Sequence, residues 1–307
     1  MRKIIITGGS GTVGSSFIEK YYNDYEFYNI SRNEAQISNL KNKFPKVSNF
    51  LGDICDLDSM INIFEKVKPE IVIHAAALKH INLAEENPTK AVEINVVGSL
   101  NIIKASVRAN VPLTIGISTD KACNADSVYG YSKRMMEYMF KQYHNTKTKF
   151  ICTRFANVAN SNGSVIPYWL SLNEKKQPLR LTDPNMNRLM FSKEESSILI
   201  HKAIEYSTMD NQFTLCKRMK TVNMFDLAKV IQDNVEVVGK RAGEKINETL
   251  ISDSELKYTH YSEEHGDYIF IFDSIEKSHN NLKTEHSSAN AEKMTVDEIK
   301  SLIWERK

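Results

Sequence analysis

Two pairs of residues that can transfer protons lie within the segment STDKACNADSVYGYSK, which spans residues 118–133. Tyr129 stands four positions before Lys133, and this spacing places both side chains on one face of a helix. A tyrosine has an ordinary pKa of about 10, and a neighbouring ammonium group stabilises its phenolate. This pair can therefore remove an alcohol proton while a hydride passes to a nicotinamide cofactor. The adjacent Asp120 and Lys121 are superfluous for hydride transfer, and they indicate a second proton-transfer step in the same pocket.

Short apolar strands and the helices between them must position these side chains. Continuous apolar or β-branched runs predict six strands, at residues 4–6, 27–30, 49–51, 71–74, 113–118 and 150–153. Helices are predicted from residue 12 onward and at residues 88–109 and 128–143. Alternating strands and helices predict a parallel sheet that is covered on both faces. Thr119 directly follows the fifth strand, where its hydroxyl can hydrogen bond a reacting alcohol.

The regular alternation of strands and helices fades after the sixth strand. We therefore predict an α/β protein in which residues 1–156 form a Rossmann-type, doubly wound parallel sheet that binds a dinucleotide. Residues 157–307 are predicted to form mainly a smaller α/β C-terminal lobe for the substrate, with some later segments returning to the first domain. Thr295 and Glu298 make a capping box that predicts a final helix. The polar stretch at residues 279–290 is predicted to cross the surface.

A glycine-rich turn, TGGSGTVG, follows the first strand and opens the first helix. Glycines let the backbone turn tightly and approach a pyrophosphate, while the helix N-terminus offers free N–H groups. An ordinary βα turn is the alternative, and the position directly after the N-terminal strand disfavours it. The residues of this turn that we predict to bind the dinucleotide are Thr7, Gly8, Ser10, Gly11, Thr12, Val13 and Gly14.

The second strand runs into Ser31 and Arg32, where proteins that bind NAD usually have an acidic residue for the ribose. Arg32 can clamp a 2′-phosphate and Ser31 can donate a further hydrogen bond, so NADP is favoured over NAD; a solvated surface arginine is the alternative. Asp53 ends the third strand, where a carboxylate can accept from the adenine amino group. His74, at the end of the fourth strand, is interpreted as structural. Further residues assigned to the cofactor site are Ile54, Ala75, Ala76, Lys79 and Asn95.

The composition excludes several classes of partner. The chain has 40 basic and 38 acidic residues and a net charge of +2, so a nucleic acid or a charged membrane surface is not indicated as a partner. Its four cysteines are scattered without a CxxC pair, which argues against a zinc site and fits a reducing compartment. No apolar run is long enough for a signal peptide or a membrane helix. We expect a cytoplasmic protein with no bound metal.

The combination of TGGSGTVG with YGYSK resembles the extended short-chain dehydrogenase/reductase family. Within that family, the sequence is most similar to the polysaccharide-biosynthesis branch that includes UDP-N-acetylglucosamine 4,6-dehydratases. The resemblance covers nearly the whole chain. Its rarer carriers are AAALKH at residues 75–80, EENP at residues 85–88 and GKRAGEK at residues 239–245.

This resemblance implies a reaction on a UDP-N-acetylhexosamine. Tyr129 would remove the proton of the sugar 4-OH while the C4 hydride passes to NADP. Lys121 would then take the C5 proton, and Asp120 would protonate the departing 6-OH as water. An unprotonated Lys121 requires a depressed pKa, which we expect in a dry pocket beside Lys133. The resemblance also implies a homo-oligomer.

The resemblance further implies a set of substrate contacts. Arginine forks suit paired phosphate oxygens, so Arg188 and Arg241 would neutralise the nucleotide diphosphate; a solvated cation is the alternative for each. Lys79 would lie near the sugar. The remaining residues of the implied substrate site are Asn157, Ser164, Val165 and Glu244.

Two other functions share parts of this pattern. A UDP-hexose 4-epimerase needs Tyr129, Lys133 and the same cofactor but no acid–base pair for C5 and C6, so Asp120 and Lys121 distinguish the two activities. A catalytically silent NADP-binding regulator is the remote alternative. Ala156 replaces the glycine that relatives carry before Asn157. This departure from the family pattern leaves the C5 stereochemistry and the exact sugar open.

Overall fold

The elements of the fold come from a computed structural model that describes residues 1–143, 147–209, 212–241, 243–261, 266–272 and 282–304. Its strands are β1 (Arg2–Thr7), β2 (Tyr25–Ser31), β3 (Ser48–Leu51), β4 (Ile71–His74), β5 (Leu113–Thr119), β6 (Lys149–Phe155), β7 (Asn157–Val158), β8 (Leu179–Leu181), β9 (Asn187–Phe191), β10 (Phe213–Lys217), β11 (Thr221–Asn223), β12 (Val235–Val237), β13 (Thr249–Ile251), β14 (Thr259–Tyr261), β15 (Tyr268–Phe272) and β16 (His286–Ser287). Its α-helices are α1 (Thr12–Lys20), α2 (Glu34–Lys43), α3 (Leu57–Val67), α4 (Ile81–Glu86), α5 (Pro88–Ala91), α6 (Gly98–Arg108), α7 (Val128–Gln142), α8 (Val165–Glu174), α9 (Lys193–Glu205), α10 (Met224–Ile231), α11 (Asp253–Leu256) and α12 (Val296–Ile303).

Nine of the described strands form one sheet in the order β14-β15-β10-β6-β5-β4-β1-β2-β3. Seven strands of this sheet run parallel to one another, namely β10, β6, β5, β4, β1, β2 and β3. Strand β15 is antiparallel to both of its neighbours, β10 and β14. Ile4, Ile5 and Ile6 of β1 are fully buried, because both faces of the sheet are covered. The predicted Rossmann-type, doubly wound parallel sheet is therefore confirmed. The strand order reverses between β1 and β4, and open α/β sheets bind their ligands at such a reversal.

A smaller α/β lobe forms mainly from the second half of the chain. It contains a three-stranded sheet, β11-β9-β7, and the two-stranded sheets β12-β8 and β13-β16, counted over the described residues. Trp169 of α8, Leu227 of α10 and Ile303 of α12 share a hydrophobic core of this lobe. Strands β10, β14 and β15 return to the main sheet. None of the helices in the described ranges combines the length and the apolar character needed to cross a bilayer.

The segment predicted as one helix at residues 88–109 contains a change of helical pitch. After α5 the backbone forms a π-helix over Val92–Val97, and α6 follows directly. Such π-turns often occur at functional sites. The Asn95 side chain in this turn lies against the main chain of Leu78, donating to its carbonyl and accepting from its N–H. Asn95 in the π-helix therefore anchors the loop that follows β4.

The C-terminal segment is only partly as predicted. The capping box of α12 is present, since the Thr295 hydroxyl accepts from the Glu298 N–H and the Glu298 carboxylate accepts from the Thr295 N–H. Of the predicted surface crossing, residues 279–281 lie outside the described residues. The prediction is wrong for residues 286–288, which are buried. His286 and Ser287 form β16 and pair with β13, so this polar stretch is a strand of the small lobe.

Candidate active site

A cavity of about 610 Å³ opens at the carboxyl ends of β1, β4 and β5, beside the reversal of strand order. Its wall combines the glycine-rich turn, the end of β2, the loop after β4 and the start of α7. The predicted site residues that line it are Gly8, Ser10, Gly11, Thr12, Val13, Gly14, Ser31, Arg32, Ile54, Ala75, Ala76, Lys79, Thr119, Lys121, Tyr129, Lys133 and Asn157. The cavity therefore brings together the predicted cofactor turn and the predicted catalytic stretch.

The glycine-rich turn has the geometry that a pyrophosphate cradle needs. Gly8 adopts a positive φ of 73°, and a side chain there would meet the backbone of Ala76 at 3.0 Å. Gly14 packs so tightly that a Cβ atom would lie 2.5 Å from the Cα of Gly9. Gly11 caps α1 without a side-chain acceptor, so the first N–H groups of the helix face the cavity unmasked. The Thr7 hydroxyl instead contacts His74 Nδ1 at 2.8 Å beneath the turn.

His74 is fully buried, and burial followed by the charge of Lys133 lowers its pKa to about 3. Its other ring nitrogen lies 2.9 Å from the Ser99 hydroxyl. The imidazole is therefore neutral at physiological pH and links β1, β4 and α6. It does not line the cavity, which agrees with a structural role.

A polar cluster marks the end of the cavity beside β2. The Ser10 hydroxyl donates to Ser31 Oγ at 2.8 Å, and Arg32 makes a half-exposed ion pair with Asp53 at 3.3 Å. Burial acts to raise the pKa of Asp53, but the Cys55 N–H and the Arg32 guanidinium outweigh it and lower that pKa. Asp53 is therefore anionic, and in this structure it holds Arg32 at the rim of the cavity.

The catalytic stretch begins at the end of β5 and continues into a 3₁₀ turn over Asp120–Ala122. Asp120 is fully buried, and its Oδ1 accepts from the Thr119 hydroxyl at 2.9 Å and from Lys121 Nζ at 3.0 Å. Its Oδ2 has no hydrogen-bond partner among the described residues. The structure therefore contains an Asp120–Lys121 ion pair beside Thr119.

The expectation of a depressed Lys121 pKa is wrong for this structure. Burial by itself lowers the pKa of Lys121, but the carboxylates of Asp120 and Glu248 outweigh burial and the nearby Arg188, so this pKa is raised. Glu248 Oε1 lies 3.6 Å from Lys121 Nζ. Glu248 is not predicted as a site residue, because it lies far along the chain from Lys121, although it stands three residues after the GKRAGEK run. An ammonium held between two acids stays protonated.

Tyr129 and Lys133 occupy the first turns of α7, whose N-cap Ser127 accepts from the Gly130 N–H. Burial raises the pKa of Tyr129 to about 12, and the charge of Lys121 opposes this rise. Burial also lowers the pKa of Lys133 to about 8. In this structure, the cation that stabilises the Tyr129 phenolate is therefore Lys121. The two residue pairs are coupled electrostatically and share one site.

Gly130 explains how α7 reaches the 3₁₀ turn. A Cβ atom at this position would lie 2.4 Å from the carbonyl oxygen of Lys121, which is closer than any real contact. Glycine therefore lets the helix carrying Tyr129 touch the backbone of the acid–base pair. Behind this contact, Asn95 donates to the Ser132 hydroxyl at 2.9 Å. Asn95 lies behind the wall and positions both the β4 loop and α7.

The predicted substrate residues fall into two groups. Asn157 lines the cavity and donates to the Leu189 carbonyl at 3.1 Å, and Lys79 donates across it to the Asn162 carbonyl at 2.8 Å. Ser164 is the N-cap of α8 and Val165 its first residue. The Ser164 hydroxyl is buried without a partner in the described part of the chain. Lys79 and Asn157 therefore line the cavity, whereas Ser164 and Val165 directly follow its lining residue Gly163.

The second group lies at the GKRAGEK segment. The Arg188 guanidinium donates to the carbonyls of Asn187, Lys245 and Ile246 at 2.7 to 3.1 Å, so it holds this segment against β9. Glu244 accepts from the Arg241 N–H through its carboxylate. Neither Arg188 nor the exposed Arg241 lines the cavity in this structure.

A buried ion network behind α7 was also missed from the sequence. Arg154 is 1% exposed, and its guanidinium contacts Glu137 at 2.7 Å and Glu255 at 2.9 Å. Glu137 also accepts from the Ser118 hydroxyl at 2.6 Å. Arg154 directly follows the strand predicted at residues 150–153, and nothing in its local sequence indicates that both acids fold over it.

The chain was compared with protein families, curated proteins and solved structures. Residues 4–269 match the family described as "Polysaccharide biosynthesis protein". UDP-N-acetylglucosamine 4,6-dehydratase (inverting) of Campylobacter jejuni is 33% identical over 84% of this chain and 80% of its own length. UDP-glucose 4-epimerase of Rickettsia bellii is 28% identical over 98% and 95%. The X-ray structure of Pen from Bacillus thuringiensis aligns with a TM-score of 0.90 at 26% identity over 99% and 98%.

The nucleotide turn, the doubly wound sheet and the Tyr129–Lys133 pair together define an extended short-chain dehydrogenase/reductase. The matched range covers most of the chain, so the protein belongs to the polysaccharide biosynthesis protein family. The resemblance stated from the motifs is therefore confirmed. Within this family, the Asp120–Lys121 pair and its contact with Glu248 are the features that bear on the reaction.

Proposed function

We propose that the protein is a UDP-N-acetylglucosamine 4,6-dehydratase that uses NADP and regenerates it, a lyase. The observation that carries this proposal is the ion pair of Asp120 and Lys121 at 3.0 Å, which joins Tyr129 through Thr119. Hydride transfer at C4 alone would not need this pair. The 33% identity to the Campylobacter jejuni dehydratase supports the same activity.

Each proton transfer can be given to a residue of the site. The glycine-rich turn and Lys133 would hold the dinucleotide, which when bound would supply the hydride acceptor for C4 and the hydride donor for C6. Tyr129 takes the proton of the 4-OH, which gives the 4-ketone and acidifies the C5 proton. Lys121 takes that proton. Asp120, which is fully buried and does not line the cavity in this structure, would have to become accessible to protonate the 6-OH so that it leaves as water. General acid and base groups on neighbouring centres typically contribute 10² to 10⁴-fold each.

The proposed roles require particular protonation states. Tyr129 must be a phenolate, although burial raises its pKa to about 12. Lys121 must be a free amine and Asp120 a carboxylic acid, whereas the structure places them as an ion pair. Moving one proton across the 3.0 Å contact between Lys121 Nζ and Asp120 Oδ1 supplies both reactive forms at once. Closing the site and excluding water favours such a neutral pair over an ion pair.

The mouth of the cavity supports a nucleotide diphosphate as the substrate handle. The N-terminus of the ten-residue helix α8 carries the unpartnered Ser164 hydroxyl, and helix N-termini attract phosphate groups. Asn157 and Lys79 line the adjoining wall. Arg188 and Arg241 would reach the phosphates only after rearrangement of the GKRAGEK segment. We propose that residues 1–156 mainly bind the cofactor and residues 157–307 mainly bind the sugar nucleotide.

Arg32 is proposed to select NADP. We expect Arg32→Gln to raise the Kd for NADP by about tenfold or more, because a hydrogen-bonded charge contact to a phosphate is worth about 1.5–3 kcal/mol. The Kd for NAD should change little. Titration calorimetry with both dinucleotides would measure the two constants. Equal weakening of NADP and NAD would contradict the assignment of Arg32 to the 2′-phosphate.

Exposed apolar side chains support a homo-oligomer. Tyr131, Met135 and Tyr138 form one exposed stripe of α7, and Val92 and Val97 are exposed on the adjoining π-helix. Contiguous apolar surface of this kind commonly marks protein interfaces. None of the four cysteines, all of which lie in the described residues, forms a disulfide bond, which supports a cytoplasmic, reducing compartment.

The function is tested by incubating the protein with UDP-N-acetylglucosamine and NADP in deuterated water. We expect a 4-keto-6-deoxy product that has lost one water molecule, with deuterium at C5. NMR and mass spectrometry of the product report water loss, exchange and C5 configuration together. An isomer of unchanged mass with inverted C4 would instead identify a 4-epimerase, the activity named for the Rickettsia relative.

A further inference from the structure

Glu248 contacts Lys121 of the Asp120–Lys121 pair from the segment that precedes β13. It lies directly before β13 and is 2% exposed. Its main chain is fixed on both sides, since the Glu248 N–H donates to Ser288 Oγ at 2.9 Å and the Ser288 N–H donates to the Glu248 carbonyl at 2.8 Å. The carboxylate is therefore held in place by the β13–β16 sheet.

The carboxylate of Glu248 faces a small set of charged groups. Its Oε1 lies 3.6 Å from Lys121 Nζ, and Asp120, Arg188 and Lys245 act on it from the 3₁₀ turn, from β9 and from its own segment. Lys121 in turn faces Asp120, Glu248 and Arg188, and its charge reaches the Tyr129 hydroxyl. The carboxylates of Asp120 and Glu248 therefore flank the ammonium of Lys121. Only Asp120 is adjacent to Lys121 in sequence.

We infer that Glu248 is a positioning residue that sets the protonation state of Lys121. Its negative charge stabilises the ammonium form, so a higher pH is needed to release the free amine. Burial, together with the charge of Asp120, raises the pKa of Glu248 itself, although the cations of Lys121, Arg188 and Lys245 act against that rise. The inference rests on the proposed function only in its consequence for catalysis, which is the pH at which Lys121 can take the C5 proton.

The sign of the effect follows from the charges. In Glu248→Gln the ammonium of Lys121 loses one anionic neighbour, so the Lys121 pKa must fall. An opposite charge within about 4–6 Å shifts a pKa by about 1–3 units, and we expect a decrease of that size. On the acidic side, the free-amine fraction of Lys121 then rises about tenfold for each unit.

The test titrates Lys121 directly, without using catalysis. Competitive acetylation with a trace of acetic anhydride over a pH series, read by mass spectrometry of the Lys121 peptide, gives the midpoint of amine deprotonation. We expect a lower midpoint in Glu248→Gln and a midpoint near that of the wild type in Glu248→Asp, which keeps the charge. Asp253→Asn, which removes an exposed acid of the neighbouring helix, should leave the midpoint unchanged. Circular dichroism establishes that each variant is folded.

Several results would overturn the inference. An unchanged or higher Lys121 midpoint in Glu248→Gln would show that Glu248 does not set the charge state. Loss of water elimination at every pH with an unchanged midpoint would show that Glu248 transfers protons itself or only supports the fold. If the wild type does not dehydrate any UDP-N-acetylhexosamine while the midpoint falls as expected, the proposed function fails and the role of Glu248 stands.

Discussion

Lys121→Met is expected to reduce water loss from the nucleotide sugar by about 10³-fold, within the range for removal of a general base. The C5 proton would have no amine to accept it, whereas Tyr129 and Lys133 would still support C4 oxidation. That oxidation should be slower than in the wild type, because the charge of Lys121 lowers the Tyr129 pKa. Rapid-mixing measurements should show reduced nicotinamide that accumulates and persists, with no deuterium entering C5.

A matched control separates this effect from the loss of any buried cation. Lys217 is similarly buried. It forms an ion pair with Glu195, which lies in the second half of the chain as Lys217 does. Lys217→Met should keep both C4 oxidation and water loss. If Lys121→Met instead keeps full dehydration, the base is another residue and the proposed mechanism is incorrect. If it stops C4 oxidation as completely as Tyr129→Phe, Lys121 serves the redox step.

Arg154→Met is expected to lower the free energy of unfolding by about 3–5 kcal/mol, the usual cost of leaving a buried charge unpaired. Glu137 and Glu255 would both lose their principal cation, since Arg154 binds each through two nitrogen atoms. Chemical denaturation would measure the change. Arg134, which is partly exposed and contacts the same two acids, provides the control, and Arg134→Met should cost much less.

A compensating variant tests whether the cost comes from charge. In the triple variant Arg154→Met, Glu137→Gln and Glu255→Gln, no carboxylate is left without a partner, so part of the lost stability should return. Replacement of a whole buried ion network is often nearly neutral, unlike removal of one member. A triple variant as unstable as Arg154→Met alone would mean that packing, rather than unpaired charge, dominates at this position.

Features that depend on local sequence could be predicted. Three patterns depend only on neighbouring residues: the β-branched run at Ile4–Ile6, the glycine turn after it, and the i, i+4 spacing of Tyr129 and Lys133. The sheet order confirms the fold inferred from them. The cavity lining likewise contains most of the residues assigned to the cofactor and to catalysis.

Features that depend on distant segments could not be predicted. Glu248 acts on Lys121 only because β13 pairs with β16, which brings the carboxylate beside the end of β5. The sequence predicts the polar β16 segment as a surface crossing, so this pairing could not be foreseen. The error on the Lys121 pKa has the same origin, since burial was anticipated but the second carboxylate was not. The assignment of Arg188 to the diphosphate follows the family resemblance and the fit of a guanidinium to phosphate oxygens, whereas its guanidinium engages backbone carbonyls.

The close contact at Gly130 has a mechanical consequence. With no side chain between them, the first turn of α7 and the backbone of Lys121 are in van der Waals contact, so a displacement of one is transmitted directly to the other. The backbone segments that carry the Tyr129 hydroxyl and the Lys121 amine therefore move together. Thermal fluctuation changes the spacing between these two segments little. In Gly130→Ala, the added methyl group would push the first turn of α7 away from the backbone of Lys121, and the two segments would no longer move together.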